Sequence, residues 1–328
     1  MSVITQFLNK CLHFEQVSCS DIAHSLVESA GRITYVETVS KYADTLHRKI
    51  KECYEVDLNH NFEITTRRHI KKMKLRNVVL AIDTTKELYW GENGSLNVRQ
   101  IRHERGADEA FHYITIDVVK PLSLPLMSIP YRQGEDLASK AIELIKYALS
   151  LPITIRLILF DRGFYIAHLI DFLEAERLKY IILAPENKAI RVYVDGTERT
   201  AAFKHQMSYK KDKSTWRPST NIVIVKGVDE WAWIFATNVK ISDALRFISI
   251  YKQRWQIETD FRVQDEARIK SKSNYAIVRY FYFLTSLLLM SCWKVNRTLY
   301  PKLPFKRYLK ELEYLFLGKI LGVDIMSL

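Results

Sequence analysis

Apolar residues recur at spacings of three and four in DIAHSLVES (21–29) and VETVSKYADTLHRKIKECY (36–54), which predicts helices over residues 1–60. The pattern then changes. NVVLAID (Asn77–Asp83) is an apolar, β-branched run suited to a buried strand, and Ser95–Arg102 and Phe111–Val119 read as two more. Gly134–Leu151 returns to a period near 3.6 and predicts a helix. Thr154–Phe160 is again a strand, followed by a helix over 165–177 and a short strand in KYIILAP. From 182 to 238 short alternating runs (IRVYVDGT, TNIVIVKG, WAWIFATN) predict a small all-β insertion. Beyond Ser242 the spacing is helical to about 315, with a break at Pro301–Pro304. This order does not fit alternating βαβ units. It predicts an α/β fold with a mixed sheet flanked by helices.

The sequence divides at these changes of pattern into a helical N-terminal region (1–72), an α/β core (73–181 and 239–300), the insertion (182–238) and a helical tail (301–328). Its 328 residues and 48% hydrophobic content are ample for a sizeable core. The net charge is +12, which favours a polyanionic partner. The excess is unevenly spread. Residues 1–72 carry +1, 73–181 are balanced, 182–238 carry +3 and 239–328 carry +8. Within TTRRHIKKMKLR (65–76), Arg67, Arg68, Lys71 and Lys72 form a cluster that suits either a solvated linker or a phosphate-contacting arm.

Several chemistries are excluded by motif. Cys11, Cys19, Cys53 and Cys292 form no C-x-x-C pair, so neither a cysteine zinc module nor a disulfide framework is indicated. G-x-G-x-x-G, the P-loop, H-E-x-x-H and G-x-S-x-G are all absent, and no nucleotide cofactor is expected. The N-terminus does not read as a signal peptide. The most apolar stretch, Tyr280–Trp293, is 14 residues closed off by Arg279 and Lys294. A span needs about 20, so a buried core helix and a cytoplasmic protein without membrane contact are expected.

Two aspartates each follow an apolar strand run: Asp83 in VVLAIDTT and Asp161 in RLILFDRGF. Strand ends of open α/β sheets are where sites are built, although turn-forming and capping aspartates are common there too. A third carboxylate, Glu258, shares a helical stripe with Tyr251, Arg254 and Arg262. An Arg–Glu surface pair explains Arg254 and Glu258 but leaves the tyrosine unexplained. Three carboxylates together suit hard divalent cations such as Mg²⁺ or Mn²⁺.

With Asp83, Asp161 and the spacing Tyr251-x2-Arg254-x3-Glu258, the chain resembles the DDE transposases of prokaryotic insertion sequences. In that group a β-strand insertion interrupts a ribonuclease H-like core before the last acidic residue. The resemblance covers roughly 75–300. The family signature continues x6-Lys, and here Asp265 stands at that position, with Lys270 and Lys272 further on. The resemblance implies that Asp83, Asp161 and Glu258 bind two Mg²⁺ or Mn²⁺ ions per active site. It also implies cleavage of double-stranded DNA at transposon ends, joining of the 3′-hydroxyl to a target, and a homodimer in the DNA complex. Tyr251 and Arg254 would hold phosphates, with Arg262 continuing their face. In the insertion, Lys210, Lys211, Lys213 and Trp216 are the DNA-contact candidates, Trp216 by stacking a base, while Trp231 and Trp233 are expected in the core. Two other readings stay open: a nuclease that cuts without joining, and a non-catalytic DNA-binding derivative.

Overall fold

The computed structural model describes residues 3–12, 14, 17–91, 97–211, 214–240 and 243–322. Five helices come first: α1 (Val3–Cys11), α2 (Cys19–Arg32), α3 (Val36–Val39), α4 (Ala43–Lys51) and α5 (Glu55–Lys72). In α5, Glu55 and Asp57 occupy the first turn and His69, Lys71 and Lys72 the last, which complements the helix dipole. The basic cluster is therefore largely helical and not a linker. Burial of Leu58, Phe62, Thr66 and Ile70 along one stripe turns α5 onto the core.

Strands β1 (Asn77–Tyr89), β2 (Arg99–Glu104), β3 (Ala107–Lys120) and β4 (Leu124–Pro130) follow, then α6 (Leu137–Leu149), β5 (Thr154–Phe160), α7 (Ala167–Ala175) and β6 (Tyr180–Leu183). The start of the Ser95–Arg102 strand lies outside the described residues. Two features depart from the hydrophobic pattern. First, β1 does not stop at Asp83; it continues to Tyr89, paired with β3 throughout (Asp83↔Thr115, Tyr89↔Glu109). Second, β4 is a strand despite its prolines. It pairs only with β3, and an edge position tolerates a residue that cannot donate to the ladder.

The insertion also differs in part from expectation. IRVYVD lies in a helix, α8 (Lys188–Asp195), because the Asn187 side chain accepts from Ile190 N (3.0 Å) and caps it, and Ile190 and Val194 bury one turn apart. The rest is strand: β7 (Thr200–Gln206), the hairpin β8 (Tyr209–Lys211) and β9 (Ser214–Trp216), β10 (Ser219–Val225) and β11 (Trp233–Thr237). Of these, β7, β10 and β11 extend the central sheet, with β11 antiparallel to β6. Among the described residues the result is one mixed sheet of nine strands, ordered β2-β3-β1-β5-β6-β11-β10-β7 with β4 beside β3. The β1–β5 and β5–β6 pairs are parallel.

Four helices complete the chain: α9 (Ala244–Lys252), α10 (Trp255–Asp265), α11 (Ala276–Arg297) and α12 (Phe305–Leu321). The two faces of the sheet carry different cores. Leu80, Ile82, Ile158 and Phe160 join the larger one with the N-terminal helices, α6, α11 and α12. Val79, Ala81, Leu157 and Leu159 face a smaller core closed by Phe247, Ile248, Tyr251 and Ile257 of α9 and α10. Helix α11 is long and apolar enough to cross a membrane by length and composition, but 78% of that window is buried inside the fold. It is a core helix, as its charged flanks imply.

Candidate active site

Strand alternation places the two aspartates. Val79, Ala81 and Asp83 share one side of β1; Leu157, Leu159 and Asp161 share the same side of β5 and its end. The last parallel pair is Ile82↔Phe160, so Asp83 and Asp161 sit side by side one residue beyond it. They face the layer formed by α9 and α10.

That layer is not one continuous helix. Gln253 and Arg254 form a tight turn between α9 and α10, with Arg254 N bonded to Tyr251 O (2.9 Å) and Ile257 N to Arg254 O (2.9 Å). Both turn residues keep right-handed helical dihedrals, so the expected common face of Tyr251, Arg254 and Glu258 is approximately preserved. Tyr251 anchors the turn. It is buried against Trp233 (6.1 Å between ring centroids) and Phe235 (5.0 Å).

The turn drives the Arg254 guanidinium between all three carboxylates. One terminal nitrogen donates to Asp83 Oδ2 (2.6 Å); the other donates to Glu258 Oε1 (2.6 Å) and lies 3.8 Å from Asp161 Oδ1. The Arg254 side chain is only 6% exposed, and Asp83 is nearly as deep, whereas Asp161 and Glu258 are open to solvent at 44% and 52%. Burial pushes the Asp83 carboxyl up to about 6, against the opposing pull of Arg254 and of the Thr84 N–H on its other oxygen (2.8 Å). Burial likewise raises the Tyr251 hydroxyl to about 12. Both that hydroxyl and Arg254 Nε are buried without a hydrogen bond.

Among the described residues no three acidic, histidine or cysteine side chains are close enough, as they stand, to hold one metal ion. The reason is local. Arg254 occupies the point at which Asp83, Asp161 and Glu258 converge. A cation lodged among three hard oxygen donors is the environment that Mg²⁺ or Mn²⁺ favours, so the donor set fits a divalent ion once the guanidinium withdraws.

The other sequence candidates fall into distinct settings. Arg262 is exposed on α10. Lys210 is exposed, and Trp216 is 50% exposed in the β8–β9 hairpin, stacked on Tyr209 at 6.5 Å and 17°. The Tyr209 hydroxyl donates to Asp171 Oδ2 on α7 (2.7 Å), which ties the hairpin to the core. Lys213 and the side chain of Lys211 lie outside the described residues. Trp233 is core as expected, but Trp231 is 60% exposed because β11 begins two residues later. On α5, Arg67 is engaged by Glu63 (2.7 Å) and the Ser150 carbonyl (3.2 Å), and Arg68 by Gln6; Lys71 and Lys72 are exposed. His69 between them is buried, which brings its imidazole down to about 4. Asp265 pairs with Arg268 (2.5 Å), while Lys270 and Lys272 turn to Tyr35, the first by a backbone bridge and the second over its ring (5.2 Å).

A second polar cluster, not singled out from the sequence, lies behind the site. Asp260 of α10 pairs with Lys294 of α11 (2.5 Å), accepts from Gln256 (3.0 Å), and contacts Ser123. Asp117 of β3 faces it, 1% exposed, its carboxyl pushed well up by burial and then by the charge of Asp260, with Lys294 opposing. A signal was present: an aspartate inside FHYITIDVV and a lysine in an otherwise apolar helical run are each costly to bury without a partner.

No curated protein matches the chain. Residues 135–289 match the family model of the transposase DDE domain, a span that contains Asp161, Tyr251, Arg254 and Glu258. Asp83 lies upstream of it and is brought in by the β1–β5 pairing. That family generally uses divalent metals and acts on DNA. The match of residues 135–289 to a transposase DDE domain supports a DDE transposase, and the mixed sheet of nine strands flanked by helices is consistent with a ribonuclease H-like transposase fold.

Proposed function

We propose that this protein cleaves double-stranded DNA at transposon ends and joins the freed 3′-hydroxyl to target DNA, with Asp83, Asp161 and Glu258 as ligands of two Mg²⁺ or Mn²⁺ ions. The observation that carries this reading is the meeting of three carboxylates, from β1, the end of β5 and α10, around a single cation. When bound, divalent ions supply Lewis acidity to the attacking and leaving oxygens of a phosphodiester. The chain's own residues do the rest. The rigid β1–β5 pair fixes the two aspartates, and the turn at Gln253–Arg254 presents Glu258 opposite them. Arg254 withdraws from the carboxylates and turns its planar fork to a DNA phosphate, beside the unmet hydroxyl of Tyr251. Arg262 extends this face. Lys210, Lys211 and Trp216 of the hairpin, together with Lys213, engage the DNA end, Lys71 and Lys72 (with Arg67 and Arg68 holding their helix) engage flanking phosphates, and the enzyme acts as a homodimer on cytoplasmic DNA. Residues 1–72 would serve end binding, 73–181 with 239–300 catalysis, and 182–238 the insertion's contacts.

The test is a plasmid carrying this coding sequence with its native flanking DNA, incubated with purified protein and Mg²⁺ or Mn²⁺. Nicks at the element's borders and joined 3′ ends are expected, both requiring metal. Nicks without joined products would leave a nuclease; binding without nicks would leave a DNA-binding derivative.

Because Arg254 holds the position of the ions, Arg254→Ala is expected to bind Mn²⁺ at least about tenfold more tightly in the absence of DNA. Two unit charges about 4 Å apart interact by about 4 kcal/mol at an effective dielectric near 20, and solvent access to Asp161 and Glu258 reduces this, leaving roughly 1.4 kcal/mol or more. Free Mn²⁺ measured by electron paramagnetic resonance reads this directly. Unchanged or weaker binding would show that the guanidinium does not compete with metal.

A further inference from the structure

A cleft of about 450 Å³ runs between α9 and the β5–β6 pair on the active-site face of the sheet, with Leu157 and Ile181 as its floor. Arg156, Lys179 and Arg246 line its walls, and no acidic residue does. All three cations are exposed, and none makes an ion pair among the described residues. The more buried cations Arg132, Arg254, Arg279 and Lys294 are all paired to carboxylates, whereas these three share one cleft with no acidic partner among its described lining residues. Three unpaired cations converging on one cleft repel one another, so their arrangement calls for an anion that is absent from the protein itself.

The position of the cleft specifies the anion. Arg246, Ser249 and Gln253 follow one another at helical spacing on α9, and Gln253, whose Oε1 is buried without a hydrogen bond, directly precedes Arg254. One end of the cleft therefore abuts the catalytic turn. The other end lies at Arg156, five residues before Asp161 on β5, or about 16 Å along a strand rising ~3.3 Å per residue. At ~3.4 Å per base, that length accommodates roughly five nucleotides. We infer that this cleft carries the sugar–phosphate backbone of the DNA strand leading away from the cut, with Arg156, Lys179 and Arg246 as its phosphate contacts. The inference rests on the DNA-cleaving reading above and adds a surface to it; none of the signature residues belongs to the cleft.

The test is the salt dependence of binding to a fluorescent duplex containing the element's border, using the full chain. Each phosphate contact contributes about 0.9 to the slope of log K against log salt. The triple variant Arg156→Ala/Lys179→Ala/Arg246→Ala is expected to lower the magnitude of that slope by about 2–3. A control variant removing equal charge from α1 and α12, Lys10→Ala/Lys310→Ala/Lys319→Ala, is expected to change it by less than about 1. A triple variant with the wild-type slope, or a control that loses as much, would overturn the assignment of the cleft. A wild type whose binding is insensitive to salt would overturn the DNA reading itself, and the cleft with it. A loss of secondary structure in the triple variant would be met by testing Arg156→Gln, Lys179→Gln and Arg246→Gln singly, each expected to lower the slope by about 1.

Discussion

Asp83→Ala, Asp161→Ala and Glu258→Ala are each expected to reduce metal-dependent nicking by at least about 10³-fold, or about 4 kcal/mol of transition-state stabilisation. The three act as one unit. In the proposed site each ion would be held by only one or two protein carboxylates, so loss of any one ligand would remove a large share of its coordination. The variants should differ in what they do to the fold. Asp161 and Glu258 are about half exposed, so their removal should cost less than about 1 kcal/mol of stability. Asp83 is buried against Arg254, and Asp83→Asn, which preserves shape, is the cleaner probe. Nicking is scored on supercoiled plasmid, and folding on the same preparations by urea denaturation. Any one variant that nicks at a near wild-type rate would remove that residue from the metal site. A uniform loss of folding would be visible in the denaturation midpoints and would point to structure instead.

Much of this site is legible along the chain, for a simple reason. An acidic residue after a run of apolar ones marks a buried strand, and that pattern finds both Asp83 and Asp161, although β1 runs on past Asp83 to Tyr89. Strand period then places each on a definite side of its own strand. What the pattern does not contain is pairing. The parallel register Ile82↔Phe160, which makes the two aspartates neighbours, joins positions far apart in sequence. The setting of Arg254 is hidden for the same reason: spacing identifies it as a partner of Glu258, but only the turn and the sheet together bring it to Asp83 as well. Elements were misread where local chemistry outvoted periodicity. The asparagine cap makes a helix of the alternating IRVYVD, while the proline-bearing LPLMSIP, to which the pattern assigned no element, is a strand at an edge position. The N-terminal helices are the converse case. Their periodicity predicts them well, but not that their core merges with that of the sheet.

The buried cluster behind the site gives the second large effect. Lys294→Met is expected to destabilise the protein by about 3–5 kcal/mol, because it strands Asp260, 2% exposed, without its counter-charge. The double variant Lys294→Met/Asp260→Asn should recover much of that loss, since no unpaired charge then remains. Failure of the double variant to recover any stability would mean that packing of the lysine stem, and not its charge, is what matters. Asp117 adds a pH dependence with a definite sign. Its folded-state carboxyl is held well above the unfolded range by burial and by Asp260, so above about pH 4 the folded state binds more protons than the unfolded one. Stability from this group therefore falls as pH rises from about 4 until the folded-state pKa is passed. Asp117→Asn cannot lose that proton. Urea denaturation at pH 5 and pH 7 should show the wild type losing stability relative to Asp117→Asn between the two, with unchanged m-values. Parallel pH profiles would mean that Asp117 is ionised in the fold. Asp260 lies two residues beyond Glu258 on α10, and its pairing with Lys294 ties that helix to α11.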